Sequence, residues 1–96
     1  MERKDFKRID SLLDAFVKAH HLEQGLAEYR LKKAWPELLG ITIAKKTRKL
    51  YIRDKKLFVE LYSSVVRNEL EMIRPTLVSR LNKEAGMQVI DDIVLR

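Results

Sequence analysis

Residues 48–62 read Arg48-Lys49-Leu50-Tyr51-Ile52-Arg53-Asp54-Lys55-Lys56-Leu57-Phe58-Val59-Glu60-Leu61-Tyr62, and this stretch decides the fold. Leu50 and Ile52 alternate with Lys49, Tyr51 and Arg53; beyond a polar centre, Leu57, Val59 and Leu61 alternate with Phe58, Glu60 and Tyr62. A period of two sends successive side chains to opposite faces of an extended chain, so two strands, 48–53 and 57–62, flank a turn at Asp54-Lys55-Lys56. Pairing Ile52 with Val59 and Leu50 with Leu61 keeps both apolar sets on one face, whereas a slip by one residue turns one set to water. A two-residue Lys55-Lys56 turn needs positive φ twice without Gly or Asn, which favours a four-residue loop over 54–57. That register pairs Arg53 with Phe58, Tyr51 with Glu60 and Lys49 with Tyr62 on the face opposite the apolar one.

Upstream of the hairpin the period changes to that of a helix. Ile9, Leu12, Leu13, Phe16 and Val17 recur on one side, with Asp10, Asp14 and Lys18 on the other, predicting an amphipathic first helix. A second helical pattern runs from Glu23 through Leu26, Tyr29 and Leu31 to Trp35, where Pro36 predicts a kink or a restart. Pro36 suits the first turn of a further short helix over 36–46, with Glu37 near its positive end and Gly40 leaving its length open. Trp35 is better placed as core than as an anchor for a partner, since its large area fills the junction between helices and sheet.

Downstream, Ser63 or Ser64 can cap a helix whose stripe is Val66, Leu70, Ile73, Leu77 and Leu81, running to Lys83 and stopped at Gly86. Pro75 lies inside and should bend or split it. Val89, Asp91, Ile93 and Leu95 alternate as a third strand. N-terminal helices, a β-hairpin, a long helix and a third strand make an α+β domain of two layers, with the helices on one face of a small sheet.

The chain's 96 residues, 46% hydrophobic and 35% charged, suit a single domain over 1–96, its first few residues flexible. At this size most apolar side chains are needed for one core, which leaves no room for a large catalytic cleft. No apolar run is long enough to span a membrane and no signal-peptide pattern opens the chain, so a soluble cytoplasmic protein without a membrane partner is expected. The absence of cysteine excludes disulfides, thiolate metal sites and cysteine nucleophiles.

Charge is distributed unevenly. The net charge is +6, and residues 41–56 hold seven bases (Lys45, Lys46, Arg48, Lys49, Arg53, Lys55, Lys56) against the single acid Asp54, so this segment carries the whole excess. A concentrated positive field suits a polyanion, because neutralised phosphates release their condensed counterions; a solvated, solubilising face is the plainer alternative. Tyr51, Phe58 and Tyr62 are interleaved with these bases. Such rings can stack on unpaired bases while cations follow the phosphates, or they can shield the Lys and Arg stems and pack internally.

Catalytic constellations find no support. His20 and His21 are sequence neighbours that point apart, Asp91 and Asp92 fall on opposite faces of a strand, Gly25, Gly40 and Gly86 are too dispersed for a phosphate loop, and Ser63-Ser64 lack a surrounding Gly-x-Ser-x-Gly. The expectation is a protein that is not an enzyme and takes no cofactor, metal or small-molecule substrate.

Trp35, Leu39-Gly40, Ile43-Ala44, Thr47, a basic strand, Leu57-Phe58-Val59, Ser63-Ser64, Glu69-Leu70, Leu77, Leu81-Asn82 and a closing strand from Val89 resemble the DciA-like family over about residues 9–96. The resemblance implies a K-homology-like fold, affinity for single-stranded or forked DNA, and contact with the hexameric DnaB-type replicative helicase. Onto this sequence it carries only the basic arm as DNA-contact candidates: Lys45, Lys46, Arg48, Lys49, Tyr51, Arg53, Lys55 and Lys56. There is no Gly-x-x-Gly loop of the kind that clamps nucleic acid in K-homology domains, so that mode is not expected. The sequence ends at Arg96 without the disordered extension of some members, which leaves the full loader role open. Nucleic acid, DNA in preference to RNA, is the expected partner; the competing readings are a protein-interaction adaptor whose lysines serve solubility, and an RNA-binding K-homology-like module, since charge does not separate RNA from DNA.

Overall fold

A computed structural model describes the backbone from residue 2 to residue 96 and the side chains from residue 11 on. The order is α1 (Glu2–Ala19), α2 (Glu23–Lys46), β1 (Thr47–Arg53), β2 (Lys56–Leu61), α3 (Ser64–Met72), α4 (Arg74–Ala85) and β3 (Asp92–Leu95), an α+β arrangement with one three-stranded sheet ordered β1-β2-β3. β1 and β2 are antiparallel, and β3 returns parallel to β2 after the α3–α4 crossover. The flexibility expected of the first few residues, and the inward place expected of Ile9, fall outside the residues whose side chains are described.

The core forms where three stripes meet one sheet face. Ala27, Leu31, Ala34 and Trp35 of α2, and Leu77, Leu81 and Ala85 of α4, pack with Leu70 of α3 against Leu57, Val59, Leu61 and Ile93 of the sheet, all of them buried. Leu50 and Ile52 close the β1 side of the same layer. The helical spacing of the first sets and the alternate spacing of the sheet set are what the two periodicities require. Trp35 is only 1% exposed, and its Nε1–H donates to Thr47 Oγ1 at 3.0 Å, whose hydroxyl in turn donates to the Ile43 carbonyl at 2.9 Å. Its buried polar atom is thereby paired, and the end of α2 is tied to the start of β1.

Several expectations are corrected. The hairpin pairs Ile52 with Leu57, Leu50 with Val59, Tyr51 with Phe58, Lys49 with Glu60 and Arg53 with Lys56, a register two residues away from the one expected. The turn is not the four-residue loop 54–57 but the two residues Asp54 and Lys55, with φ of 52° and 60°. Both central residues are left-handed, the backbone whose twist matches that of the flanking strands, and Asp tolerates it better than most. A shift of two preserves parity, so the faces assigned from the alternation stand.

The break expected at Pro36 lies instead at Gly40, where φ is 86° and ψ 169°. Proline's φ suits a helix. Pro36 and Lys32 are both exposed, so the Lys32 carbonyl that loses its donor lies on the solvent-exposed side of the helix. Gly40 occupies a region of backbone space that is essentially glycine's alone. The chain turns there, and residues 41–46 deliver it into β1.

At the other proline the expected split occurs. α3 ends at Met72, Ile73 leaves helical geometry (φ −111°, ψ 13°), and Pro75 sits in the first turn of α4. Ile73 therefore drops out of the expected stripe and is 44% exposed. Ser63 caps α3, its Oγ accepting from the Val66 N–H at 3.3 Å, and Gly86 ends α4 in the left-handed conformation (φ 83°, ψ 3°).

The third strand is shorter than the alternation predicts. Val89 and Ile90 are both buried in a loop, Asp91 precedes the strand, and β3 starts at Asp92. Asn82 governs this loop: its Oδ1 accepts from the Val89 and Ile90 N–H groups at 2.9 and 3.1 Å, and its Nδ2 donates to the Ile90 carbonyl at 2.9 Å. The first helix begins well before Ile9, consistent with the Glu, Arg and Lys at its start. Of the described residues in its apolar set, Val17 is buried while Leu12, Leu13 and Phe16 are exposed. No helix among the described residues is long and apolar enough to cross a membrane.

Candidate nucleic-acid interface

The sheet face turned away from the helices carries three aligned rows, set by the pairing of β1 with β2 and of β2 with β3. Arg53, Lys56 and Asp92 form the row at the hairpin tip; Tyr51, Phe58 and Val94 form the middle one. Lys49 and Glu60 form the third, and Arg96 joins it, because its N–H donates to the Val59 carbonyl and its carbonyl accepts from Leu61 N–H, both at 2.9 Å.

A β-bulge between Thr47 and Lys49 adds one residue to β1. Strict alternation assigns Arg48 to the core side, but the bulge swings it outward, where its guanidinium lies 3.6 Å from the Glu60 carboxylate. At the base of the hairpin Lys45 and Lys46 end α2, and the Lys46 carbonyl accepts the Tyr62 N–H at 2.9 Å. The basic residues thus follow the arm from Lys45 and Lys46 through Arg48 and Lys49 to Arg53, Lys55 and Lys56 at the tip. β1 alone covers about 23 Å of this track at roughly 3.3 Å per residue.

Little of this charge is neutralised internally. Among the described residues, Arg48 pairs with the half-buried Glu60 at 3.6 Å and Arg53 with Asp54 at 3.8 Å, both long contacts, and the second, between two exposed groups, is of the kind that contributes little. Lys45, Lys46, Lys49, Lys55 and Lys56 have no carboxylate partner among them. The Asp92 carboxylate, next to Lys56 in the tip row, is held instead by the Arg74 Nε at 3.3 Å, and Arg74 also binds Glu71 at 3.0 Å.

The aromatic residues separate. Tyr51 and Phe58 stack on one another, with centroids 5.0 Å apart and planes within 5°. The Lys49 Nζ lies 5.3 Å from the Tyr51 centroid and the Arg96 guanidinium 5.2 Å from that of Phe58. Tyr62 stands apart at the base, 70% exposed. The described part of α1 faces α2 and the end of α4 across a cavity of about 270 Å³ lined by Asp14, Val17, Leu26, Arg30 and Met87 among others.

All eight residues singled out from the sequence therefore lie along one arm. Two participants escape a reading of the sequence. Arg96 is three positions from Ile93 and shares the outward parity of Asp92 and Val94, yet only the parallel pairing of β3 brings it to Phe58. Glu60 was legible as outward but not as the partner of Arg48, since nothing local announces the bulge. What the arrangement offers chemically is a row of exposed cations along a sheet, a positive field of the kind that suits an anionic chain.

A family model described as Dna[CI] antecedent, DciA, matches residues 8–95, nearly the full chain. No curated protein matches it.

Proposed function

The chain belongs to the DciA family, and from that premise we propose that it is a non-catalytic accessory protein that binds single-stranded or forked DNA through its basic hairpin arm and acts there with the replicative helicase. Membership ties it to DnaB-type helicase loading in DNA replication, a family of accessory factors rather than catalysts. DNA binding is the further step. One observation carries it: Lys45, Lys46, Lys49, Lys55 and Lys56 share an arm with Arg48 and Arg53 and have no carboxylate partners of their own among the described residues. Lysines left free at this density hold counterions, and a phosphate chain gains entropy by releasing them.

The test is a titration of labelled single-stranded and forked oligonucleotides at two salt concentrations. With roughly six phosphate contacts, affinity for a single strand should fall about 300-fold between about 50 and 200 mM salt, and more steeply on the duplex arms of a fork. Reversing charge at Lys45→Glu, Lys46→Glu, Lys49→Glu and Arg53→Glu together should abolish binding. A flat salt response counts against the reading.

A second reading, a protein-interaction adaptor, is favoured by the uncovered apolar side of α1, where Leu12 is 64% and Phe16 54% exposed. Patches of this kind mark contact sites. Capture of the helicase from lysate that survives both nuclease treatment and the fourfold charge reversal, with no DNA bound at low salt, selects it.

A further inference from the structure

We propose that the open sheet face takes the phosphodiester backbone of its nucleic acid without stacking on the bases, Tyr51 and Phe58 acting to position cations rather than to receive a nucleobase. This rests on the nucleic-acid reading above and specifies how that site holds its ligand. A sheet that stacks bases does so on rings lying flat along its surface with one face open to solvent. Here the two rings are directly paired across β1 and β2, their centroids 5.0 Å apart and their planes nearly parallel. That separation is close to the spacing of neighbouring strands, and two rings lying flat side by side need more room than it allows. The rings therefore stand on edge, each covering one face of the other in the offset manner aromatic pairs favour.

The remaining two faces are also taken. With the rings stacked at a centroid separation of 5.0 Å there is no room for a group between them, which assigns the Lys49 Nζ, 5.3 Å over the Tyr51 ring, and the Arg96 guanidinium, 5.2 Å over that of Phe58, to the outer faces. The result is a four-layer column, ammonium, phenol, phenyl, guanidinium, running across the sheet. Its outward surface consists of ring edges bounded by positive charge. Ring edges offer a base nothing to lie on, while the cations at both ends remain able to meet phosphate oxygens. Tyr51 is thus a positioning residue for Lys49, and the ligand is recognised as a chain of phosphodiesters regardless of what it carries at C1′.

The experiment compares wild-type protein on three labelled strands of equal length at low salt: oligothymidine, the same backbone with abasic residues throughout, and the matched RNA. The expected result is affinities within about twofold of one another, since loss of even one stacked base is worth roughly fivefold or more. Tyr51→Ala weakens all three by the same factor, because Lys49 loses its support but no base contact is lost, and the conservative Tyr51→Phe, which restores the ring, rescues that loss. An abasic strand bound about fivefold or more weaker than oligothymidine overturns the inference while leaving the nucleic-acid reading intact, as does a similar preference for RNA, which requires 2′-hydroxyl recognition. Failure of every strand to bind overturns the nucleic-acid reading itself.

Discussion

Removing the Asn82 side chain should unfasten the last third of the sheet. The amide makes three hydrogen bonds to the backbone of Val89 and Ile90, at 2.9, 3.1 and 2.9 Å. Val89 is 2% exposed and Ile90 fully buried, so water has poor access to the groups that Asn82→Ala would leave unpaired. At about 1 kcal/mol net for each bond, and more where a buried group stays unsatisfied, the loss is about 3 kcal/mol. Against a total stability of roughly 5–15 kcal/mol this is a large fraction, equivalent to a fall in Tm of about 15 °C for a domain of this size. Asn82→Asp keeps the acceptor for both N–H groups and loses the donor to the Ile90 carbonyl, so it should lie between wild type and alanine. Urea and thermal unfolding followed by the fluorescence of the buried Trp35 measure both. An alanine variant within about 0.5 kcal/mol of wild type would refute the reasoning, because the loop would then be held by the burial of Val89 and Ile90 alone.

Other perturbations follow from single contacts. Gly40→Ala should destabilise by about 1–3 kcal/mol in urea unfolding through backbone strain alone, since an added Cβ meets nothing within 4 Å. Thr47→Val, which strands the Trp35 Nε1–H and frees the Ile43 carbonyl, should lose about 1–3 kcal/mol by the same measurement, with Thr47→Ser restoring most of it. Lys55→Gly should stabilise the hairpin by about 1 kcal/mol, since Lys55 has a φ of 60°, while weakening DNA binding and flattening its salt dependence, because a cation at the tip is lost.

The residues that carry the family resemblance turn out to be those that build the fold. Trp35 and Thr47 are hydrogen-bonded partners, Gly40 supplies a backbone angle other residues resist, Ser63 caps α3, and Asn82 holds the loop before β3. A signature of this kind specifies a scaffold. The basic arm reads separately, through its charge.

What residue order alone dictates here is whatever depends on near neighbours. Period-two alternation assigned Leu50, Ile52, Leu57, Val59 and Leu61 to the core and Lys49, Tyr51 and Arg53 to the open face, and each assignment stands, because side-chain parity is a property of consecutive residues. The clustering of charge before and within one turn is local in the same sense. Register is not: whether Tyr51 meets Phe58 or Glu60 depends on how Asp54 and Lys55 close the turn and on which cross-strand pair packs better. Neither does composition disclose that α2 passes through Pro36 and breaks at Gly40, since the deciding quantity is whether the orphaned Lys32 carbonyl faces water. The bulge at Arg48 and the parallel return that brings Arg96 to Phe58 depend on contacts between segments far apart in the chain, and only the folded sheet brings those segments within reach.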